Sequence, residues 1–185
     1  MSKERALSDL ISQIRMCSKC YDKFTDYDVM DRINIREWRH EGPWFFPPVK
    51  EDEVDIRGFF GTGDVMLVAE RPSTRGGKIP APLDMEFLRL LRKYGLTDAH
   101  ISDMVKCRGT VEESKREEIW RSMVYNCFPF LRKEIDVVKP RLILAMGKKV
   151  YNELKRRGVD REFRVVPMIH YSYALSGRGK GKGSR

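Results

Sequence analysis

Long apolar runs are what this chain most clearly lacks. None of its apolar stretches reaches the roughly 18 residues that a membrane-spanning helix needs. The first residues, Met1 to Arg5, also lack the apolar segment that opens a signal peptide. We therefore expect a soluble, cytoplasmic protein with no membrane partner.

Phosphate-binding glycine loops are absent as well. No G-x-x-x-x-G-K-[ST] or G-x-G-x-x-G pattern follows an apolar run, and Gly76 to Ile79 fails because no hydroxyl residue follows Lys78. This absence argues against an ordinary α/β nucleotide-binding protein.

Cysteine is scarce, with four residues in a chain of 185. In an intracellular protein, four cysteines argue against a disulfide framework and favour metal binding or inert packing. Cys17 and Cys20 form a C-x-x-C pattern, while Cys107 and Cys127 lie far downstream. Thiolate-only ligation suits zinc or an iron-sulfur cluster. Spacing alone leaves metal binding and buried, unliganded thiols both open.

Basic residues exceed acidic ones, and the formal net charge is +9. Such an excess suits a polyanionic partner such as nucleic acid, because each phosphate contact releases counterions. Part of the excess comes from the Gly/Lys/Arg-rich tail, residues 177–185, which we expect to be disordered.

Four apolar runs have the length of a β-strand. They are Val65 to Ala69, Ile101 to Val105, Leu142 to Met146 and Val165 to Ile169. Apolar residues at helical spacing follow the first run over 84–94 and the third run over 148–157. After the second run, Thr110 and Glu113 form a capping box that opens a further helical pattern. Alternating strands and helices predict an α/β fold, a three-layer α/β/α arrangement with a central four-stranded parallel sheet. Its ligand site is expected at the carboxyl ends of the strands.

The length of the chain suits one domain with peripheral additions. We expect this domain to span residues 1–176. Residues 21–63 mix charged and aromatic side chains without periodicity, which predicts an irregular insertion ahead of the sheet.

Residues 101–108, with the sequence ISDMVKCR, are similar to the strand and "VKCRP" motif of family 4 uracil-DNA glycosylases. Further similar segments are Ala69 to Pro72, which resembles the "GEAPG" loop, His170 to Tyr173, which resembles "HPSY", and residues 118–147, which resemble the next helix and strand. The resemblance covers roughly residues 10–20 and 58–176.

This resemblance implies a DNA-repair glycosylase that hydrolyses the N-glycosidic bond of a flipped-out uracil or other deaminated base. The implied partner is damaged DNA, single or double stranded, bound by a monomer at the nucleoid. The four cysteines are implied to hold a 4Fe-4S cluster, chiefly structural, with zinc as the alternative. A non-catalytic iron-sulfur module that binds nucleic acid is the alternative function.

The same resemblance assigns roles to individual residues. His170 is expected to donate a hydrogen bond to O2 of the leaving base, and Glu70 to orient water or stabilise the sugar cation. Ser172, Lys106 and Arg71 are expected to contact DNA.

Three positions depart from the family's pattern. Asp103 stands where the family has the Asn that recognises uracil, and an ionised Asp offers no donor to O4. Ile79 falls near the slot of the stacking aromatic, and can give the base only an apolar face. Tyr171 replaces a proline, so the fixed φ of that residue is lost. The base that is excised is therefore the least determined part of the expectation.

Overall fold

The computed structural model describes residues 2–20, 45–51, 54–72, 82–107 and 116–176 of the chain. The helices in these residues are α1 (Lys3–Arg15), α2 (Pro82–Lys93), α3 (Glu117–Val138), α4 (Lys148–Arg156) and α5 (Tyr171–Leu175). The strands are β1 (Val49–Glu51), β2 (Val54–Ile56), β3 (Val65–Ala69), β4 (His100–Asp103), β5 (Leu142–Met146) and β6 (Arg164–Met168). None of these helices is long and apolar enough to cross a membrane.

Strands β3 to β6 form one four-stranded sheet in the order β4-β3-β5-β6. β3 runs parallel to β5, with Val65 opposite Leu142, and β5 runs parallel to β6, with Leu142 opposite Arg164. A helix lies in the chain between each strand and the next, as parallel strands require. The predicted α/β class, with a four-stranded parallel sheet flanked by helices, is confirmed.

The burial of the strands follows their place in the sheet. Met66, Leu67 and Val68 of the interior strand β3 are fully buried, because a parallel strand covered on both faces carries a continuous apolar run. Strand β6 lies at the edge and contains Pro167, which an edge strand tolerates because its missing N–H interrupts no ladder.

Strand β4 ends earlier than the apolar run predicts. The run continues to Val105, but the strand stops at Asp103, and Met104 and Val105 are fully buried outside it. The carbonyl oxygen of Asp103 accepts a hydrogen bond from Lys106 Nζ at 2.6 Å. The donor is thus a side chain and not the main chain of a neighbouring strand. Apolar character therefore marked burial correctly and the end of the strand wrongly.

Part of the expected irregular insertion is regular. β1 and β2 pair antiparallel, with Val49 opposite Ile56, and both of these side chains are buried. Residues 21–44, the predicted capping box of Thr110 and Glu113, and the tail 177–185 lie outside the described residues.

Contacts within the chain divide it into two compact units. The first contains α1, residues 103–107 and nearly all of α3. The second contains the β1–β2 pair, most of the four-stranded sheet, and helices α2, α4 and α5. The expectation of one domain over 1–176 stays a prediction.

Helices α1 and α3 form the frame of the first unit. α1 begins at the cap Ser2, whose side chain accepts from the N–H of Arg5, and buries Leu7, Leu10, Ile11 and Ile14 at helical spacing. Gln13 of α1 accepts a hydrogen bond from Lys133 of α3 at 3.0 Å. Cys17 and Cys20 follow the end of α1 directly, so the packing of α1 on α3 fixes the position from which this segment starts.

Candidate active site and thiol pocket

The four cysteines line one pocket in the first unit. Its wall consists of Ile14, Cys17, Cys20, Lys106, Cys107, Cys127 and Phe130. Cys20, Cys107 and Cys127 are buried, Cys17 is partly exposed, and none of the four is in a disulfide bond. Residues that are far apart in sequence are thus brought to a common cavity.

Two N–H groups donate to sulfur atoms in this pocket. The main-chain N–H of Lys106 lies 3.5 Å from Cys127 Sγ. The side-chain amide of Asn126 lies 3.4 Å from Cys20 Sγ and 3.4 Å from the carbonyl oxygen of Lys19. Hydrogen bonds of this kind orient thiolate ligands and stabilise their charge.

The donor set fits a thiolate-ligated group. Four sulfurs, and no carboxylate or imidazole, line the wall, which is the donor chemistry of an iron-sulfur cluster or a Cys₄ zinc site. Within the described ranges, no three His, Cys, Asp or Glu side chains are arranged to hold a single metal ion.

Lys106 does not occupy the position expected for a DNA contact. Its ammonium group lies 2.8 Å from Glu134 Oε1 and 2.9 Å from Oε2, and its side chain is 1% exposed. A buried ammonium paired in this way is not available to a phosphate group. The prediction that Lys106 binds DNA is therefore corrected: the residue belongs to the interior of the first unit.

Asp103, the expected base-recognition residue, is half-buried at the end of β4. Desolvation raises the pKa of its carboxyl group to about 7. The Lys106 ammonium lowers this pKa and the Glu134 carboxylate raises it, so the pair has opposing effects. Near neutral pH the group exists in both the acid and the carboxylate form.

His170 is the cap residue of α5, and its ring is held by the residue two positions on. Nδ1 accepts a hydrogen bond from the main-chain N–H of Ser172 at 3.3 Å and lies 2.8 Å from Ser172 Oγ. Because a main-chain N–H can only donate, Nδ1 is an acceptor, and the proton of the neutral ring is on Nε2. The ring therefore has an N–H donor at Nε2.

Burial lowers the pKa of His170, which favours the neutral ring. The negative charges of Glu70 and Asp84 act in the opposite direction, so both carboxylates are near enough to influence the ring. Glu70 and His170, the two residues expected to be catalytic, thus interact through charge within the second unit.

Glu70 follows β3 and is paired with Lys149. Lys149 Nζ lies 3.0 Å from Glu70 Oε1, and each side chain is 32% exposed. Lys149 stands in the first turn of α4, which the chain enters through Gly147 at a φ of 97° that glycine adopts readily. The carboxylate is thus held at the carboxyl end of β3 and still reaches solvent.

The remaining predicted site residues are placed as follows. Arg71 directly follows Glu70 and is half-buried, and Ser172 is exposed in the first turn of α5. Ile79 lies outside the described residues. A DNA contact by Arg71 or Ser172 stays a prediction.

Sequence reasoning missed the partners of the site residues. The sequence places these partners in predicted helices and gives them no further role: they are Asp84, Asn126, Glu134 and Lys149. Helical periodicity could have placed Glu134 on the buried stripe with Leu131 and Ile135, and a buried acid requires a cation. No comparable signal marks Lys149 or Asp84.

The fold and the site define an α/β protein whose candidate ligand-binding residues follow β3 and β6 at their carboxyl ends. Residues 60–185 match the profile of the Uracil DNA glycosylase superfamily. That match spans more than half of the chain, and the protein belongs to this superfamily. No curated protein matches it.

Proposed function

We propose that the protein is a DNA glycosylase that hydrolyses the N-glycosidic bond of a flipped-out uracil or other deaminated base. The observation that carries the proposal is the pair of Ser172 contacts to His170 Nδ1, which orient the ring and leave its N–H donor at Nε2. When the C1′–N bond breaks, its electron pair goes to the departing base. An N–H donor at a base oxygen stabilises that negative charge.

Glu70 is proposed to act on the sugar side of the bond. Its carboxylate stabilises the positive charge that develops at C1′ and orients the attacking water. The water oxygen bonds to C1′, and the proton that the water loses is taken up by the departing base. The products are the free base and an abasic sugar. Lys149 keeps the carboxylate in place through their ion pair.

Asp103 is proposed to contact the edge of the base. In its acid form the group offers a carbonyl acceptor and an O–H donor, the same pair that an Asn side chain presents to N3–H and O4 of uracil. In its carboxylate form it only accepts, which suits a base edge that carries an amine. A pKa of about 7 makes both forms accessible.

The four cysteines are proposed to bind a 4Fe-4S cluster. Support comes from their shared pocket, the burial of three of them and the N–H groups directed at Cys20 and Cys127. Such a cluster would serve as a cross-link between the end of α1, residues 103–107 and α3. Iron and sulfide analysis of anaerobically purified protein tests this assignment, and stoichiometric zinc in a colourless protein would overturn it.

Base release from oligonucleotides tests the catalytic proposal. Single-stranded and duplex substrates with uracil, hypoxanthine, xanthine or mismatched thymine are incubated with the full chain, and abasic sites are cleaved with alkali. We expect excision of at least one base, abolished in His170→Ala. Arg141→Ala is the control, because this exposed side chain lies at the opposite, amino end of β5. Binding of DNA with every base left intact would favour the non-catalytic iron-sulfur module.

A further inference from the structure

Helix α5, which begins directly after His170, is too short to be stable by itself. It has five residues, and none of them is fully buried. Isolated helices shorter than roughly 12 residues are marginal in water. Neither helix propensity nor core burial therefore explains how the segment that carries His170 is held.

Tyr171 makes the contacts that hold it. The Tyr171 hydroxyl donates to Asp84 Oδ1 at 2.6 Å. Its ring stacks on Phe87, with centroids 4.3 Å apart and planes 15° apart. Asp84 and Phe87 belong to α2, and Phe87 is 3% exposed, so the tyrosine is fixed to a helix that is itself anchored in the core.

The same ring also contacts the histidine. The centroids of His170 and Tyr171 are 4.8 Å apart and their planes 25° apart. Tyr171 therefore contacts both the imidazole of the residue before it and helix α2. Stacked rings attract one another and restrict the orientation of their partner.

From these contacts we infer that Tyr171, held by Asp84 and Phe87, is a second positioning residue for the His170 imidazole in its contact with the leaving base. It acts together with Ser172, whose N–H and hydroxyl contact Nδ1 of the same ring. The inference rests on the proposed function and names a determinant of its rate. Tyr171 is the first residue of α5, where a proline would set φ near the helical value without any side-chain bond. A tertiary anchor thus does here what a rigid main chain could do.

Variants of Tyr171 test this role through kcat. Tyr171→Ala removes the ring and hydroxyl, and kcat for base excision is expected to fall about 10- to 100-fold with KM nearly unchanged, since small misplacements of a catalytic group have effects of that size. Tyr171→Phe keeps the stack and should lose less. Tyr171→Pro should recover most of the loss in Tyr171→Ala, because it restores a fixed φ.

Asp84→Asn separates the hydrogen bond from the charge. Asn retains an oxygen that accepts from the Tyr171 hydroxyl, so kcat is expected to stay within about threefold of the wild type, whereas Asp84→Leu should lose as much as Tyr171→Phe, because both remove the hydrogen bond and keep the stack. Equal losses in Asp84→Asn and Asp84→Leu would contradict positioning through this bond. So would a Tyr171→Ala variant with wild-type kcat.

A measurement without substrate separates this inference from the proposed function. Side-chain coupling constants of His170 are expected to show one χ1 rotamer in the wild type and in Tyr171→Pro, and averaged values in Tyr171→Ala. If the wild type excises no base but these couplings change as expected, the positioning holds and the glycosylase proposal fails. Unchanged couplings in Tyr171→Ala would overturn the positioning.

Discussion

Lys106 Nζ lies 2.8 Å from Glu134 Oε1, with the two side chains 1% and 0% exposed. The same ammonium donates to the carbonyl oxygen of Asp103, and the main-chain N–H of Lys106 donates to Cys127 Sγ. One buried residue thus connects the end of β4 with the thiol pocket.

Removing one member of the buried pair should destabilise the protein strongly. Glu134→Leu leaves the Lys106 ammonium buried without its counter-charge, and the free energy of unfolding is expected to fall by about 3–5 kcal/mol. The double variant Lys106→Met/Glu134→Leu should recover much of this loss, because an apolar pair has no charge to desolvate. Urea unfolding measures both values.

The exposed pair of Arg121 and Glu117 on the same helix is the control for that experiment. Glu117→Ala should change the free energy of unfolding by less than about 1 kcal/mol, since surface ion pairs are screened by solvent. A loss in Glu134→Leu no larger than in Glu117→Ala would show that the buried pair has no special role in stability.

Uracil excision should depend on the ionisation of Asp103. Its pKa is raised to about 7, so the acid form, which can donate to O4, predominates below that pH and disappears above it. Excision of uracil is therefore expected to fall as the pH rises through about 7. Asp103→Asn should remove this fall and raise uracil activity most at the alkaline end.

The matched measurement compares kcat/KM for the two proteins at pH 6 and pH 8 on the same uracil oligonucleotide. A gain in Asp103→Asn at pH 8 but little at pH 6 is the expected pattern. An equal ratio of the two proteins at both values would mean that Asp103 does not contact the base edge.

The pKa of His170 should respond to Glu70. Burial lowers this pKa, whereas the charge of Glu70 raises it, so Glu70→Gln should lower it further. The acid form of the ring is then confined to a more acidic range, and the neutral donor persists to lower pH. An NMR titration of the His170 ring gives the value directly.

Asp160→Asn provides the comparison for that titration, because Asp160 is an exposed acid that has no effect on His170. The His170 pKa should be the same in this variant as in the wild type. A His170 pKa that stays unchanged in Glu70→Gln would place the two groups too far apart to interact as described.

Asn126 should protect the metal centre proposed for the four cysteines. Its side-chain amide donates to Cys20 Sγ, and loss of such a donor weakens ligation. Asn126→Ala is expected to lose its visible absorbance in air or chelator several-fold faster than the wild type, on the order of the 10-fold effects of such partners. Asn152→Ala, on the exposed side of α4, should lose it at the wild-type rate.

The secondary structure was largely predictable because its signals are local. The apolar runs of β3 and β5 matched the observed strands residue for residue, and β6 was shifted by one residue. The end of β4 was missed, because Met104 and Val105 are as apolar as strand residues but are buried outside the strand. At the end of the strand the Asp103 carbonyl oxygen accepts a bond from the Lys106 side chain, and apolar patterning gives no sign of it.

The site was predictable in its residue types and less so in its contacts. Glu70 and His170 lie at strand ends, where a parallel sheet collects functional groups. The prediction that Lys106 contacts DNA was wrong. A lysine beside a cysteine motif gives no sign that it will be buried in an ion pair with an acid 28 residues later. Nothing in the sequence indicated that Tyr171 would bond to Asp84, 87 residues earlier.

Periodicity and composition were sufficient to specify alternating strands and helices, and hence a parallel sheet with its site at the carboxyl ends. They were also sufficient to supply four thiols and a histidine directly after a strand. Packing selected the partners: it buried Lys106 against Glu134, gathered the four sulfurs and fixed Tyr171 to α2. The reason is that periodicity depends on neighbours along the chain, whereas desolvation and hydrogen bonding depend on neighbours in space.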